Sequence, residues 1–525
     1  MKRILVPLPL KADAYTISGE AIAGEEAKEK SVYTLVDRYS PKQNLGVVAQ
    51  DSRMIFYGIS DFIRNHLSQP ITHKDIDEAK EFMQTAYSFG GPLFFPEELW
   101  RRVVNEYNGY LPILIQGLPE GSTYFPNEPK IQVTSLGKGF GEIAAHIEAL
   151  MLGMTSIASV RATVTRHWLD RIREVFIRYS NLRETSIDEL SQEKLKEIDA
   201  FARFMIHDFG MRAHSCAEES EMLGRAHLLV FHGTDTFNAA YQARKLGACP
   251  PTGTSILALA HRIVQGHISE ESAYNRICEA ANGGWASYVA DCYDFKNAVQ
   301  KFLVKLAQEK KGTIVIRPDS GDDIEDVLYI AYKAYEAGLY TESNGYKEST
   351  NLRFIQGNSM NPEKIDKIFK ALAVHNFNPV KWGIFGVGGW LRNICTRDTF
   401  SSSYKLSAKG LNNTPVVKLS ETRGKLSVPG PVSLYKKKVG PSVYHIDEIV
   451  GSELRYVCWY TPESMQSGRL PAFEPFSKLQ ERTINEFDWF RDANVERGVI
   501  ATQNVLSKKL QTIQDNTIQL HNKGW

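Results

Sequence analysis

Residues 312–323 read Gly-Thr-Ile-Val-Ile-Arg-Pro-Asp-Ser-Gly-Asp-Asp, and the plan of the molecule is visible in them. Thr313 to Ile316 is a β-branched run of strand length, stopped at Arg317-Pro318, after which the polar Asp319-Ser320-Gly321 begins. Downstream, Ile324, Val327, Leu328 and Ala331 fall on one helical face, and Gly338 supplies the stop. Strand, polar turn and helix in that order make one βα unit.

The unit recurs on both sides. ARFMIHDFG from Ala202, AHLLVFHGTD from Ala226, ASYVADCYD from Ala286, LRFIQGN from Leu352 and KWGIFGVGG from Lys381 each read as a strand ending in a polar or glycine-rich cluster. Between two of them, Asn361 is placed to cap a helix that starts at Pro362 and buries Ile365, Ile368, Phe369 and Leu372. The pattern predicts an α/β protein with an irregular β/α barrel over residues 151–398. The C-terminal strand ends of such a barrel share one rim, where sites form. Residues 1–150, with KSVYTLVDRYS and the helical KDIDEAKEFMQTAYS, read as α+β. SSYKLSAKG, TPVVKLS, GKLSVPGPVSLYKK and ELRYVCWYTPE make residues 399–485 β-rich, so the two segments are expected to build a second α+β domain. Residues 486–525 read as a polar helical extension.

A chain of 525 residues is long enough for two packed domains, and 62 Lys+Arg against 61 Asp+Glu leave a net charge of +1. That balance recruits neither nucleic acid nor a membrane surface, while a local pocket for anions stays open. The six cysteines, Cys216, Cys249, Cys278, Cys292, Cys395 and Cys458, show no paired spacing and read as reduced, mostly buried thiols. The first residues carry no convincing signal peptide, and no run reaches the roughly 18 apolar residues of a membrane span. A cytoplasmic protein is expected.

The polar strand ends hold the candidate chemistry. Arg317, Asp319, Asp322 and Asp323 put a guanidinium and carboxylates together, suited to ribose hydroxyls, magnesium-bound waters or a developing cation. The plainer alternative is that Asp319 or Ser320 caps the following helix. Gly386 to Gly389 could cradle a phosphate at a helix start, or could be a tight turn. Arg397 and Lys405 beyond it add positive charge or are surface cations. Asp235, at a strand end in FHGTD, could accept from an amide NH₂ and repel an acid, unless it caps the helix near Phe237. His261 lies in an apolar stretch, and Phe209 and Tyr15 taken singly read as core aromatics.

Together these stretches resemble the nicotinamide phosphoribosyltransferase family, in order and at similar spacing, from about residue 10 to about residue 485. The carriers are Asp13-Ala14-Tyr15, His207 to Gly210 with Arg212, Gly233 to Thr236, Asp291 with Tyr293-Asp294, Arg317 to Gly321, Ile355-Gln356-Gly357, Gly386 to Gly389 and Thr396-Arg397-Asp398. The resemblance implies a type II phosphoribosyltransferase that acts as a homodimer with shared sites. It places nicotinamide between Phe209 and the Tyr15 of a second copy, with Asp235 on the amide and Arg317 lining the pocket. Asp319 and Asp291 would serve ribose, pyrophosphate and its magnesium, which binds through pyrophosphate and water near Asp319, with no direct protein ligand. Arg212, Gly357 and Asn358 fall among the substrate-binding positions. Gly388 and Gly389, with Arg397 and Lys405 from the other copy, would hold the 5-phosphate. His261 falls on the histidine that ATP phosphorylates in the family, so ATP is an expected activator.

The chain departs from the family pattern in two places. It has Ala260-His261-Arg262 for Glu-His-Ser, and Asn358 for an aspartate after Gly357. The first removes neighbours of the imidazole, and the second removes a carboxylate beside the ribosyl donor. Two alternatives follow. One is transfer of nicotinamide to a larger donor, such as an ADP-ribose pyrophosphate, giving NAD directly. The other is a catalytically silent relative that binds nicotinamide or NAD.

Overall fold

The run read from residue 313 forms the strand Thr313–Arg317, whose central three residues are buried. The computed structural model describes residues 4–46, 48–86, 93–180, 186–309, 311–419, 427–437, 440–448, 453–470, 472–492 and 506–522. The chain divides into two units, Met1–Thr163 with Cys395–Trp525, and Val164–Ile394. The first boundary falls within one long helix, Glu148–Arg178.

The second unit holds six parallel strands: β1 (Ile206–Asp208), β2 (Leu257–Ala258), β3 (Trp285–Val289), β4 (Thr313–Arg317), β5 (Leu352–Gln356) and β6 (Gly383–Val387), in the order β1-β6-β5-β4-β3-β2. Register is fixed by pairs such as Val289 with Arg317, Phe354 with Ile316 and Val387 with Asp208. Two single-residue parallel bridges, Asp208 with Thr234 and Gly233 with Thr254, carry the bonding from β1 back to the segment leading into β2. The sheet therefore curls into an irregular barrel that is thin on one side. Helices cover it. In Pro362–Val374 the Asn361 side chain accepts from the Lys364 amide, and Ile365, Ile368, Phe369 and Leu372 are all buried, each contributing roughly 1.5–3 kcal/mol. In Asp323–Glu336 the deeply buried face is Val327, Ile330, Ala331 and Ala334, with Ile324 and Leu328 at its edge.

One strand expectation fails. The run from Ala226 continues a helix, Ala217–Leu228, and only Gly233 and Thr234 bridge to neighbours. The stretch at TPVVKLS supplies only the two-residue strand Thr414–Pro415, and part of it lies outside the described residues.

The first unit is built on a six-stranded antiparallel sheet. Ser31–Val36 lies between Ser403–Lys409 and Pro129–Ser135, so N- and C-terminal segments share one sheet. Within it Asp37 and Lys130 form a fully buried ion pair at 2.7 Å, with the Tyr124 and Ser402 hydroxyls donating to the same carboxylate. The helix Lys508–Asn522 also belongs to this unit, and Ser507 before it donates from its amide to the Val443 carbonyl at 2.8 Å.

Candidate active site

Every residue of the site described first lies in the second unit. Alternation along β1 turns His207 and Phe209 to the barrel interior and Asp208 outward, toward the layer of Gly224 and Ala239. Phe209 is seated by glycines. A Cβ at Gly386 would lie 2.1 Å from its Cε2, one at Gly357 3.3 Å from the same atom, and one at Gly388 2.8 Å from its carbonyl oxygen. The glycine run at β6 is thus spent largely on seating this ring. Arg317, at the end of β4, sets its guanidinium 5.6 Å over the Phe209 ring centroid.

Arg317 donates through Nε and Nη2 to Asp319 Oδ1, at 3.0 and 2.7 Å. The other oxygen, Oδ2, lies 3.9 Å from His261 Nε2, which in turn is 3.0 Å from Asp291 Oδ1. Ser320 donates to Asp291 Oδ2 at 2.6 Å. A carboxylate only accepts, so His261 carries its proton on Nε2 in the neutral form. Two strand ends and a short helix thus converge on one chain of groups, Arg317 to Asp319 to His261 to Asp291 to Ser320. The helix after β4 is capped by Asp322, whose Oδ1 accepts from the amides of Ile324 and Glu325, both at 2.9 Å. Asp319 and Ser320 are therefore free of the capping duty considered for them.

Asp235 is exposed and accepts from the Ser255 hydroxyl at 2.5 Å, and its carboxylate caps no helix. His207 sits below Phe209 against Gly233, where a Cβ would meet its ring at 2.3 Å. Burial pushes its imidazole down to about 4, against the pull of Asp235, so it is neutral at pH 7.

Other expected residues lie apart or differ. His261 starts the short helix His261–Gly266 with its side chain 41% exposed, and is not a core histidine. Asn358 is half-buried beside Gly357, and Arg212 is exposed on the turn Met211–Ala213. Gly389 opens on free space at the start of a helix of five residues, Gly389–Asn393, which ends before Arg397. In the first unit Tyr15 is 73% exposed, so it is no core aromatic. Arg397 there pairs with Asp398 at 2.6 Å, and Lys405 lies 3.5 Å from Glu148. The thiols are all free, but only Cys278 and Cys395 are buried, which corrects the expectation that most are.

A family model described as nicotinate phosphoribosyltransferase matches residues 204–428, the strands and rim just described. A second, described as the N-terminal domain of nicotinamide phosphoribosyltransferase, matches residues 10–115. A nicotinamide phosphoribosyltransferase of Xanthomonas campestris pv. campestris (strain 8004) is 30% identical over 362 residues, 67% of this chain and 73% of that one. The chain belongs to the nicotinamide phosphoribosyltransferase family. A further member from Acinetobacter baylyi (strain ATCC 33305 / BD413 / ADP1) is 26% identical over 489 residues, 85% of this chain and 91% of that one. The fold agrees with human nicotinic acid phosphoribosyltransferase, at a TM-score of 0.58 and 15% identity, over 97% of this chain and 100% of that one. It agrees likewise with nicotinate-nucleotide pyrophosphorylase from Pyrococcus furiosus, at 0.57 and 16%, over 94% and 99%.

Within this nicotinamide phosphoribosyltransferase relative, sequence reasoning missed Ser255, His207 as a group of its own, and the Asp323–Lys364 pair at 2.7 Å. Ser320 was seen only as a cap. The last residue before a polar strand end, on the inward side of β1, was the one usable signal for His207.

Proposed function

We propose that this chain joins nicotinamide to a pyrophosphate-activated ribose 5-phosphate, releasing pyrophosphate and forming nicotinamide mononucleotide, a step of NAD salvage. The enzyme is a pentosyltransferase. The observation that carries the reading is the aromatic platform of Phe209 with Arg317 over its ring and Asp319 bonded to Arg317, all on one barrel rim.

A pyridine ring lies on Phe209, and Asp235 accepts from its amide N–H while repelling the carboxylate of nicotinate. The lone pair of the ring nitrogen forms the new bond to the anomeric carbon as the bond to the pyrophosphate oxygen breaks, and pyrophosphate takes the electron pair. Positive charge grows on the sugar during this exchange, and Asp319 and Asp291 stabilise it. No protein nucleophile is needed, so orientation and charge do the work. Arg212 and the backbone at Gly388 and Gly389 are suited to phosphate oxygens.

Magnesium, held by the pyrophosphate, would supply charge neutralisation to the leaving group. Asp319 Oδ2, not bonded to Arg317, is the oxygen suited to a metal-bound water. Tyr15, Arg397 and Lys405 are taken from a second copy, so the working unit of this reading is a homodimer; the exposure of Tyr15 supports that. ATP would act at His261, whose partly exposed ring supports the reading. The cytoplasm is the proposed compartment, which free thiols suit, and no described helix is long and apolar enough to cross a membrane. No partner from the nucleic acids is proposed.

Arg262, exposed next to His261 with no ion pair among the described residues, favours one second reading, a donor with more phosphate such as ADP-ribose pyrophosphate. The test is mass spectrometry of products from nicotinamide, magnesium and either donor, with and without ATP. Nicotinamide mononucleotide from phosphoribosyl pyrophosphate upholds the first reading. NAD from the larger donor alone replaces it with the second, and binding without turnover leaves a silent relative.

A further inference from the structure

At the position just past Gly357, this chain carries an amide, Asn358, and the structure surrounds that amide with a charged pair. Asn358 Nδ2 donates to Asp323 Oδ1 at 3.3 Å, and the other oxygen of Asp323 is 2.7 Å from Lys364 Nζ. Lys364 Nζ also donates to the Asn358 backbone carbonyl at 3.2 Å, and the Asn358 backbone N–H donates to Gln356 Oε1 at 3.0 Å. The residue is held at its backbone on both sides and at one end of its side chain.

The chemistry of Asp323 settles which end. An ionised carboxylate has no proton to give, so only the NH₂ of the amide can face it. Lys364 Nζ, 2.7 Å from its other oxygen, holds that carboxylate in place. The carbonyl oxygen of Asn358, Oδ1, is then the atom turned away from the pair, and it has no protein donor among the described residues. Asn358 is half-buried, and its neighbour Gly357 approaches Asp319 Oδ1 to within 3.8 Å of where a Cβ would stand. Oδ1 is therefore an unused acceptor at the rim, on the residue next to Gly357.

We propose that Asp323 and Lys364 are positioning residues that lock Asn358 with Oδ1 toward the donor, so that it accepts a hydrogen bond from a ribosyl hydroxyl. An acceptor suits a hydroxyl and gives nothing to phosphate oxygens, which also accept. The charge needed to hold this acceptor is neutralised within the Asp323–Lys364 pair, so the sugar contact adds no negative charge to the rim. The inference rests on the pyrophosphate-activated ribosyl donor proposed above, and concerns which side chains fix its sugar.

The experiment compares kcat/KM for phosphoribosyl pyrophosphate and for donors lacking the 2- or the 3-hydroxyl, in the wild type and in Asp323→Asn and Lys364→Met. One deoxy donor is expected to lose roughly tenfold in the wild type, about one hydrogen bond. Asp323→Asn can offer either end of its own amide, so Asn358 is free to turn, and the penalty is expected to shrink to about twofold or less while the KM for nicotinamide stays put. Lys364→Met is expected to shrink it as well, and its partly exposed position makes folding of that variant safe. A merely structural role would lower activity with all donors alike and leave the penalty intact. An unchanged tenfold penalty in either active variant overturns the inference alone. Wild type with no turnover on the full donor overturns the reading beneath it, and the inference with it.

Discussion

His261 Nε2 stands 3.0 Å from Asp291 Oδ1 and 3.9 Å from Asp319 Oδ2, so one imidazole spans the two carboxylates proposed to face the ribosyl donor. The contact with Asp291 fixes the tautomer and leaves Nδ1 as the ring's available lone pair. His261→Ala is expected to lower kcat/KM roughly tenfold or more by releasing Asp291, and to remove any stimulation by ATP. Steady-state kinetics with and without ATP check both. Stimulation that survives in the variant would rule out this ring as its seat.

Asp319→Asn keeps the shape of the side chain and removes its charge. The growing cation on the sugar then loses a stabilising neighbour, and kcat is expected to fall roughly 10²-fold to 10³-fold with little change in the KM for nicotinamide. A rise in that KM with kcat intact would reassign Asp319 to base binding.

Gly386→Ala would place a methyl 2.1 Å from Phe209 Cε2. The ring must move or the strand must bend, at about 1–3 kcal/mol. The expected result is a lower unfolding midpoint together with a higher KM for nicotinamide, read by denaturant melts and kinetics on the same preparation. An unchanged KM would mean that the base does not rest on this ring.

Base choice is proposed to rest on Asp235, whose carboxylate accepts from Ser255. Asp235→Asn removes the repulsion toward nicotinate while keeping an acceptor for the amide. The ratio of kcat/KM for nicotinamide over nicotinate is expected to drop by about tenfold or more, in a competition assay resolved by mass spectrometry. A ratio that holds would move the discrimination to another group.

Acid should unfold this protein through buried histidines. Burial lowers His66 and His207 to about 4 and His232 to about 3. Unfolded histidine titrates near 6.5, so below about pH 6.5 the unfolded chain takes up protons that the folded chain refuses. Stability is therefore complete above that pH and lost as pH falls toward 4, by about 3 kcal/mol for the fully buried His207 alone. Urea melts at pH 7 and pH 5 measure the loss, and His232→Asn should make it shallower.

The barrel was legible because β-branched runs such as Thr313 to Ile316 end abruptly in polar residues, which only strands feeding a rim do repeatedly. The run from Ala226 misled for a definite reason. Leu228 to Phe231 is buried throughout, and an all-apolar stretch has no period by which to tell a covered helix from a covered strand. At the site, Arg317, Asp319 and Asp235 announced themselves at strand ends, whereas Phe209 taken singly read as a core aromatic. Ser255 with Asp235, Ser320 with Asp291, and Asn358 with Asp323 did not. Each pair is 20 to 35 residues apart in sequence, and only the curvature of the sheet brings the two together.

The thin side of the barrel runs through Thr234 and Gly233, where two single bridges replace a strand. Asp235 follows immediately. The residue proposed to choose between the two pyridine bases thus follows an arc joined by single bridges, while the carboxylates proposed to face the sugar, Asp291 and Asp319, follow strands paired along their length. Base preference and transfer chemistry can then change separately, the first through substitutions on that short arc and the second through residues at the laddered strand ends.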